Sequence, residues 1–269
     1  MIRIIILGIL LICLISTKAH GQIFFMGARF SAMANAGSAM SDIWNVSYNP
    51  AGFTAIKSPT VSFGYDNRFV TKELSVKSVV AAFPVQTNYF GCSFSSTGFE
   101  SYNVMLSSLS YGKKLSERFS AGLKFNYHSL NIESYGLTYT FSVDLGIQAK
   151  LTDQLVLATQ IVNPTRAKFG NDLINPIETI FCLGALYTFS PKAFITTEVE
   201  KSLGFPVNTK VGMEYKPLEM VAVRGGISSF PLRQYFGMGI LLKKIKLDVA
   251  ASTHVSLGYS PQFSLGYEF

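Results

Sequence analysis

The residues able to do chemistry in this chain are spaced along walls; they do not converge on a centre. Arg118, Lys124, Asp144, Glu214, Arg224 and Asp248 each occupy the polar parity of a segment in which polar and apolar residues alternate. Asp66, Arg68, Lys77, His128, Lys150, Glu198, Lys210, Lys246 and Glu268 are placed in the same way. Charges of both signs on one face can pair with each other, and that is the chemistry they offer. His128 and His254 fall on distant segments, which argues against a histidine metal site. Cys92 and Cys182 also lie in separate segments, too few for a disulfide framework, and read as small apolar groups. There is no nucleophile elbow, phosphate-binding glycine loop or paired-cysteine motif. The residues therefore point to no catalytic group, no cofactor and no metal, and the chain reads as a non-enzyme. Its formal charge of +7 is scattered, without a basic run that would suit nucleic acid.

The elements that carry these charges are unusual in composition. Hydrophobic residues make up 48% and charged residues 14% of the chain, against about 25% charged in a soluble domain. Yet beyond the N-terminus no apolar run approaches the roughly 20 residues of a membrane helix. The apolar residues instead recur at every second position. Tyr139, Phe141, Val143, Leu145, Ile147 and Ala149 alternate with Thr138, Thr140, Ser142, Asp144, Gly146 and Gln148. "RFSAGLKFNYH", "KVGMEYK" and "FSLGYEF" repeat the pattern. Period two is a strand with two unlike faces. Long strands, polar faces rich in Gly and Ser, and aromatics near strand ends select a transmembrane antiparallel β-barrel over a soluble sandwich. In lipid, only a helix or a closed barrel satisfies every backbone group.

About fourteen strands are expected, starting near 60 and ending at 269, in an all-β fold. The short connections "PVQT", "KKLSE", "LTD", "SP", "KPL" and "KI" all follow even-numbered strands, as periplasmic turns should. The longest connection, 163–176, follows the seventh. Strand 102–112 has the most blurred alternation. Before the barrel, "MIRIIILGILLICLISTKAHG" has an early cation, a short apolar run and small residues ahead of Gln22, which reads as a signal peptide over 1–21. The expected divisions are that signal, a plug over 22–58 and a barrel over 59–269. Tyr267 and Phe269 end the chain on the apolar parity, the pattern of an outer-membrane insertion signal. The expected location is the bacterial outer membrane, and the expected partners are its lipid and the barrel insertion machinery.

Between signal and barrel stands "FMGARFSAMANAGSAMSDIWNVSYNPAGF". Its Gly27-Ala28-Arg29 start, Asp42 and Trp44, and the Asn49-Pro50-Ala51-Gly52 turn resemble the N-terminal plug of the FadL-like outer-membrane superfamily. They are especially similar to its PorV/PorQ group from Bacteroidota. That resemblance implies fourteen strands around a plug. It also implies a role as an accessory subunit that binds other envelope proteins, in type IX secretion or a related outer-membrane assembly. FadL-like relatives imply the alternative, passage of hydrophobic molecules through a plugged barrel. This chain is shorter than either group and has no long extracellular segment with which to build an apolar pocket. Physically, the small residues from Ala32 to Ala39 suit a thin helix within a narrow barrel. Pro50 and Gly52 suit the turn from lumen to wall. Gly64, Gly122, Gly146, Gly212, Gly226 and Gly266, all on inward parity, would leave room for the plug.

Overall fold

The computed structural model describes residues 27–170 and 177–269. The signal-peptide reading, and positions 171–176 of the longest connection, lie outside them.

Alternating side chains drive fourteen strands into one closed antiparallel barrel. They are β1 (Thr60–Asp66), β2 (Val76–Val85), β3 (Asn88–Phe99), β4 (Tyr102–Lys114), β5 (Phe119–Ile132), β6 (Gly136–Lys150) and β7 (Leu155–Val162). The second half comprises β8 (Ile180–Ser190), β9 (Ala193–Ser202), β10 (Asn208–Leu218), β11 (Val221–Ser229), β12 (Leu232–Leu242), β13 (Ile245–His254) and β14 (Gly258–Glu268). Each strand pairs with its sequence neighbours, and β1 closes on β14 from Thr60↔Glu268 to Asp66↔Gln262. Closure leaves no unpaired edge strand, which a membrane requires. No helix among the described residues is long and apolar enough to cross a bilayer.

The packing is inside out. Phe125, Phe141 and Leu145 on the outer face are nearly half exposed, while Lys210, Glu198 and Glu214 are among the most buried large side chains. Only a fold whose outer solvent is lipid places residues this way. Tyr65, Tyr111, Tyr187, Phe189, Tyr215 and Tyr267 lie exposed on the outer face near strand ends, where girdle aromatics belong. Strand β4 follows the expected course, and its blurred pattern has a physical cause. Its inward positions Val104 and Leu106 are apolar because part of the lumen there is apolar: Val104 and Leu130 pack on Phe169 from the β7–β8 connection.

The lumen is filled by the chain's own N-terminal segment. α1 (Gly27–Ser31) is followed by tight turns and by two 3-10 turns, Ile43–Val46 and Gly52–Ala55. Phe30, Met33, Trp44, Val46 and Phe53 of this plug are fully or almost fully buried and pack with Val76 and Val80 of β2. The expected helix over Ala32–Ala39 does not form. α1 ends in a Schellman motif: Asn35 N–H bonds the Phe30 carbonyl at 2.8 Å and Ala34 N–H bonds that of Ser31 at 3.2 Å. Ala34 takes the left-handed conformation, φ 57°, usually given to glycine. The small residues serve close contact with the wall and not helix propagation.

Candidate functional site

The site is the interface between plug and inner wall. It begins with Asn49 of the Asn49-Pro50-Ala51-Gly52 turn and with Asn45 just before it. Asn49 Oδ1 accepts from the Ala51 N–H at 3.1 Å, and Asn49 Nδ2 donates to the Ser38 carbonyl at 2.8 Å. Asn45 Nδ2 donates to the Met40 carbonyl at 2.6 Å. A side chain at Gly52 would collide with Asn45 and with the Met40 carbonyl, 2.7 Å from the position of a Cβ. The motif is therefore a self-bonded knot that satisfies buried backbone groups without regular structure.

The wall is cut to receive it. Gly112, Gly122 and Gly146 are register partners on β4, β5 and β6. Cβ atoms added at these three positions would strike Pro50 or Asn49. A second pair, Gly212↔Gly226 on β10 and β11, faces Met33 and Ala34 in the same way. Of the six inward glycines expected to make room, Gly122, Gly146, Gly212 and Gly226 do so. Gly266 meets only ordinary wall contacts, at 3.5 Å and beyond, and lines a cavity. Gly91, Gly112, Gly184 and Gly237 also abut the plug and were not singled out from the sequence.

Three buried polar clusters bolt plug to wall. In the first, Arg29 bonds both Glu214 oxygens at 2.9 and 3.1 Å and Asp42 Oδ2 at 2.7 Å. Arg224 bonds Glu214 at 2.7 Å and Asp248 at 2.7 Å. Burial opposes the charge on Arg29, but Glu214 and then Asp42 outweigh it and raise its pKa above the ordinary value. Asp42 also caps the following turn through the Trp44 N–H at 3.1 Å. In the second cluster, Lys210 bridges Glu198 at 3.0 Å and Glu200 at 2.6 Å. Glu198 accepts from the Tyr48 hydroxyl and from the Ser38 N–H. Burial, and then Cys182, Glu198 and Glu200 nearby, push the Tyr48 phenol well up from its usual pKa. In the third, Lys124 pairs with Asp144 at 2.9 Å and donates to the Ser47 carbonyl at 2.6 Å.

The sequence-derived lumen residues thus divide. Lys124 and Asp144 come together, as do Glu214, Arg224 and Asp248. Arg118 does not line the lumen: it sits exposed in the β4–β5 turn, because alternation was extended past the strand end. Lys77 points outward, since the plug packs on apolar Val76 and Val80 and reverses the polarity of β2 there. Cys92 faces out and Cys182 in, near Tyr48 Oη at 3.7 Å. Ligand atoms of Cys182, Glu198 and Glu200 come within 4.8 Å of one another. The Lys210 ammonium already holds the cation position between the two carboxylates.

Among the described residues, a cavity flanks the plug at each end. One of about 180 Å³ opens at the end carrying the short turns, beside Arg29 and Lys246. The other, about 360 Å³, lies at the loop end above Ser31, Ala34 and Asn35. Its lining is mixed, with Asp66, Arg68, Glu73, Glu200, Lys210 and Arg233 beside the apolar side chains, and so differs from the apolar pocket that a long extracellular segment would build. Wall positions and short loops build it.

A closed barrel with an apolar outside, a charged inside and its own N-terminus as stopper is a plugged barrel of outer-membrane type. No family model matches the chain, and no curated protein matches it in sequence. Among solved structures, it is similar in fold to the Pseudomonas putida toluene transporter TodX, with TM-score 0.68 and 13% identity over 90% of this chain and 98% of that one. It is similar too to a Pseudomonas aeruginosa FadL homologue, with TM-score 0.66 and 14% identity over 93% and 100%. At such identities the likeness is one of fold, that of the FadL-type outer-membrane barrels.

Proposed function

We propose that this chain is a non-enzymatic outer-membrane barrel, sealed by its own N-terminus, that serves as a rigid partner subunit of an envelope protein complex. Type IX secretion, or a related outer-membrane assembly, is the setting implied by the PorV/PorQ-like motif. The observation that carries the reading is the bolted plug. Arg29 is held by β10, Ser38 and Tyr48 by Glu198 of β9, and Ser47 and Pro50 by Lys124 and Gly122 of β5, so the plug is fixed on well-separated strands of the wall. Moving such a plug breaks the Arg29–Glu214 ion pair and the buried hydrogen bonds that Glu198 and Lys124 make to Tyr48, Ser38 and Ser47, and bonds to charged groups are worth about 1.5–3 kcal/mol each. A plug fixed at this cost suits a scaffold better than a passage. The test is mild-detergent purification beside conductance in planar bilayers. A silent barrel that retains a stoichiometric envelope protein supports the proposal; a steadily conducting barrel, or one purified from intact membranes without partners, overturns it.

A second reading, uptake of a small hydrophobic molecule, is favoured by one observation. Strand β6 pairs with β7 only over Leu145–Lys150, although it pairs with β5 from Gly136 to Ala149. A short ladder is the natural place for a sideways exit into lipid.

A further inference from the structure

The turn end of the barrel carries a charge that neither reading above uses. Along the sequence the cations are scattered; the fold gathers them, because every second connection brings the chain back to the same end. Lys113, Lys114 and Arg118 bracket the β4–β5 turn, and Lys243, Lys244 and Lys246 the β12–β13 turn. Lys150, Lys192 and Lys216 stand at the three turns between, and Lys57 leads into β1. Against these ten cations stand four acids, Glu117, Asp153, Glu219 and Glu268, a net charge of +6. At the loop end, outside the buried ion-pair clusters, the described residues hold seven cations against five acids, a net of +2. We infer that the turn-end collar binds the headgroups of anionic phospholipid in the leaflet that meets it. Neither a partner protein nor passage through the barrel is assumed.

The arrangement of the collar points to lipid. Five of the six short turns carry a cation, the β2–β3 turn being the exception, so the charge runs round the circumference. A protein docked at this end is served by one patch; a ring matches what surrounds a barrel on every side. The depth agrees. The outward aromatics Tyr111, Tyr187, Tyr215 and Tyr267 lie at the same end, at the level where girdle rings meet the headgroups. Lys113 continues the outward parity of Leu109 and Tyr111 and stands two residues, about 7 Å, beyond the ring. From there a lysine stem lies along apolar surface while its ammonium reaches the phosphates.

The cations are also free to act. Lys150 pairs with Asp153 at 2.8 Å, and Lys216 lies 3.7 Å from Glu214. The other eight make no ion pair among the described residues, and all eight are exposed. A zwitterionic head brings its own cation to such a collar; an anionic head brings the charge it lacks.

The experiment places the folded full chain in vesicles with spin-labelled phosphatidylglycerol or phosphatidylcholine. Electron paramagnetic resonance reads the fraction of each lipid slowed at the protein surface. Wild type should prefer phosphatidylglycerol roughly fivefold at low salt, and the ratio should fall towards one in about 1 M salt. Replacing Lys113, Lys192, Lys243 and Lys244 together by Gln should remove most of the preference. Replacing Lys72, Lys77, Arg166 and Lys168 at the loop end by Gln removes as many charges and should leave most of it. Heat-modified gel migration confirms folding, and Lys243→Gln with Lys244→Gln, confined to one exposed turn, should already lower the ratio. No preference in wild type, or equal losses in the two four-residue variants, would overturn the inference. So would an acidic envelope protein lost from the turn-end variant while its lipid ratio stays that of wild type, because the collar would then serve a protein.

Discussion

Arg29 of the plug and Glu214 of β10 meet through two parallel hydrogen bonds, 2.9 and 3.1 Å long, across 185 positions of sequence. Two-pronged geometry fixes direction as well as distance. The pair therefore sets which way the first turn of the plug faces, and Asp42 locks the other edge of the same guanidinium. Trp44, the chain's single tryptophan, lies buried in the plug two residues further on, so its fluorescence reports docking. Arg29→Met and Glu214→Gln should each shift Trp44 emission to the red and lower the unfolding midpoint. Their double variant should fall little below the worse single, with a coupling of about 0.5–3 kcal/mol. Strictly additive losses would mean that the two side chains do not act together.

The glycine row predicts a separable defect. Valine at Gly146 would drive a side chain into Asn49 and Pro50, and valine at Gly122 would strike the Pro50 carbonyl group. Overpacking costs about 1–3 kcal/mol, and it falls on the docked plug rather than on the strand ladder. Both variants should keep heat-modifiable migration yet red-shift Trp44. Gly266→Ala, where a Cβ meets nothing closer than 3.5 Å, is the control and should match wild type. Should Gly146→Val leave the emission unaltered, the wall would be softer than its geometry implies.

These particulars mark where the sequence could be read. Lipid imposes apolar residues on every second outward position, so the strand count and most boundaries follow from alternation alone. The inward glycines and charges follow from the same parity. The plug's path does not. Ala34 and Asn35 both adopt φ 57°, and no glycine announces the bend at either. Nor does parity say which inward charges meet: Glu198 lies near Tyr48 and Ser38 because the plug brings them there. Arg118 misled because alternation in sequence outlasts the strand that causes it.

Asp144 ties the plug to the β7–β8 connection. Its Oδ2 pairs with Lys124, which holds the Ser47 carbonyl, and its Oδ1 accepts from the Asn163 N–H at 2.9 Å. Asn163 Nδ2 in turn donates to the Ala167 and Ile177 carbonyls at 3.1 and 2.9 Å. Asp144→Asn should loosen both sides together. Trp44 emission should shift, and a cysteine placed at buried Phe169 should react faster with a water-soluble thiol reagent. A change on one side only would show that Asp144 does not link them.

The C-terminal aromatics make a prediction about assembly. Tyr267 and Phe269 are exposed on the outer face and pack edge to face, centroids 4.9 Å apart. Phe269 N–H bonds the Pro59 carbonyl at 2.9 Å, beside the strand seam that closes the barrel. Tyr267→Ser with Phe269→Ser removes the aromatic pair and little packing inside. The outer-membrane level should fall several-fold while export of the chain continues. An unchanged membrane level would relegate the pair to girdle residues.

Sealing and passage are distinguished by removing the plug. The intact barrel should conduct little, because the segment from Gly27 to Ala55 occupies the lumen, bonded both to itself and to the wall. Deleting 27–48 removes Arg29, Asp42 and Tyr48, and it strips Lys124 of the Ser47 carbonyl. Glu198 keeps Lys210 and Glu214 keeps Arg224, so the wall retains paired charges and should still close. The deletion should therefore open a steady conductance in a barrel that still migrates as folded. A silent lumen alone does not choose between the two functions, since a lateral exit carries no ions. Partner retention and uptake of a hydrophobic probe should be measured on the same two proteins. Loss of partners with unchanged uptake supports the scaffold. Loss of uptake with partners retained moves the function to the short β6–β7 ladder.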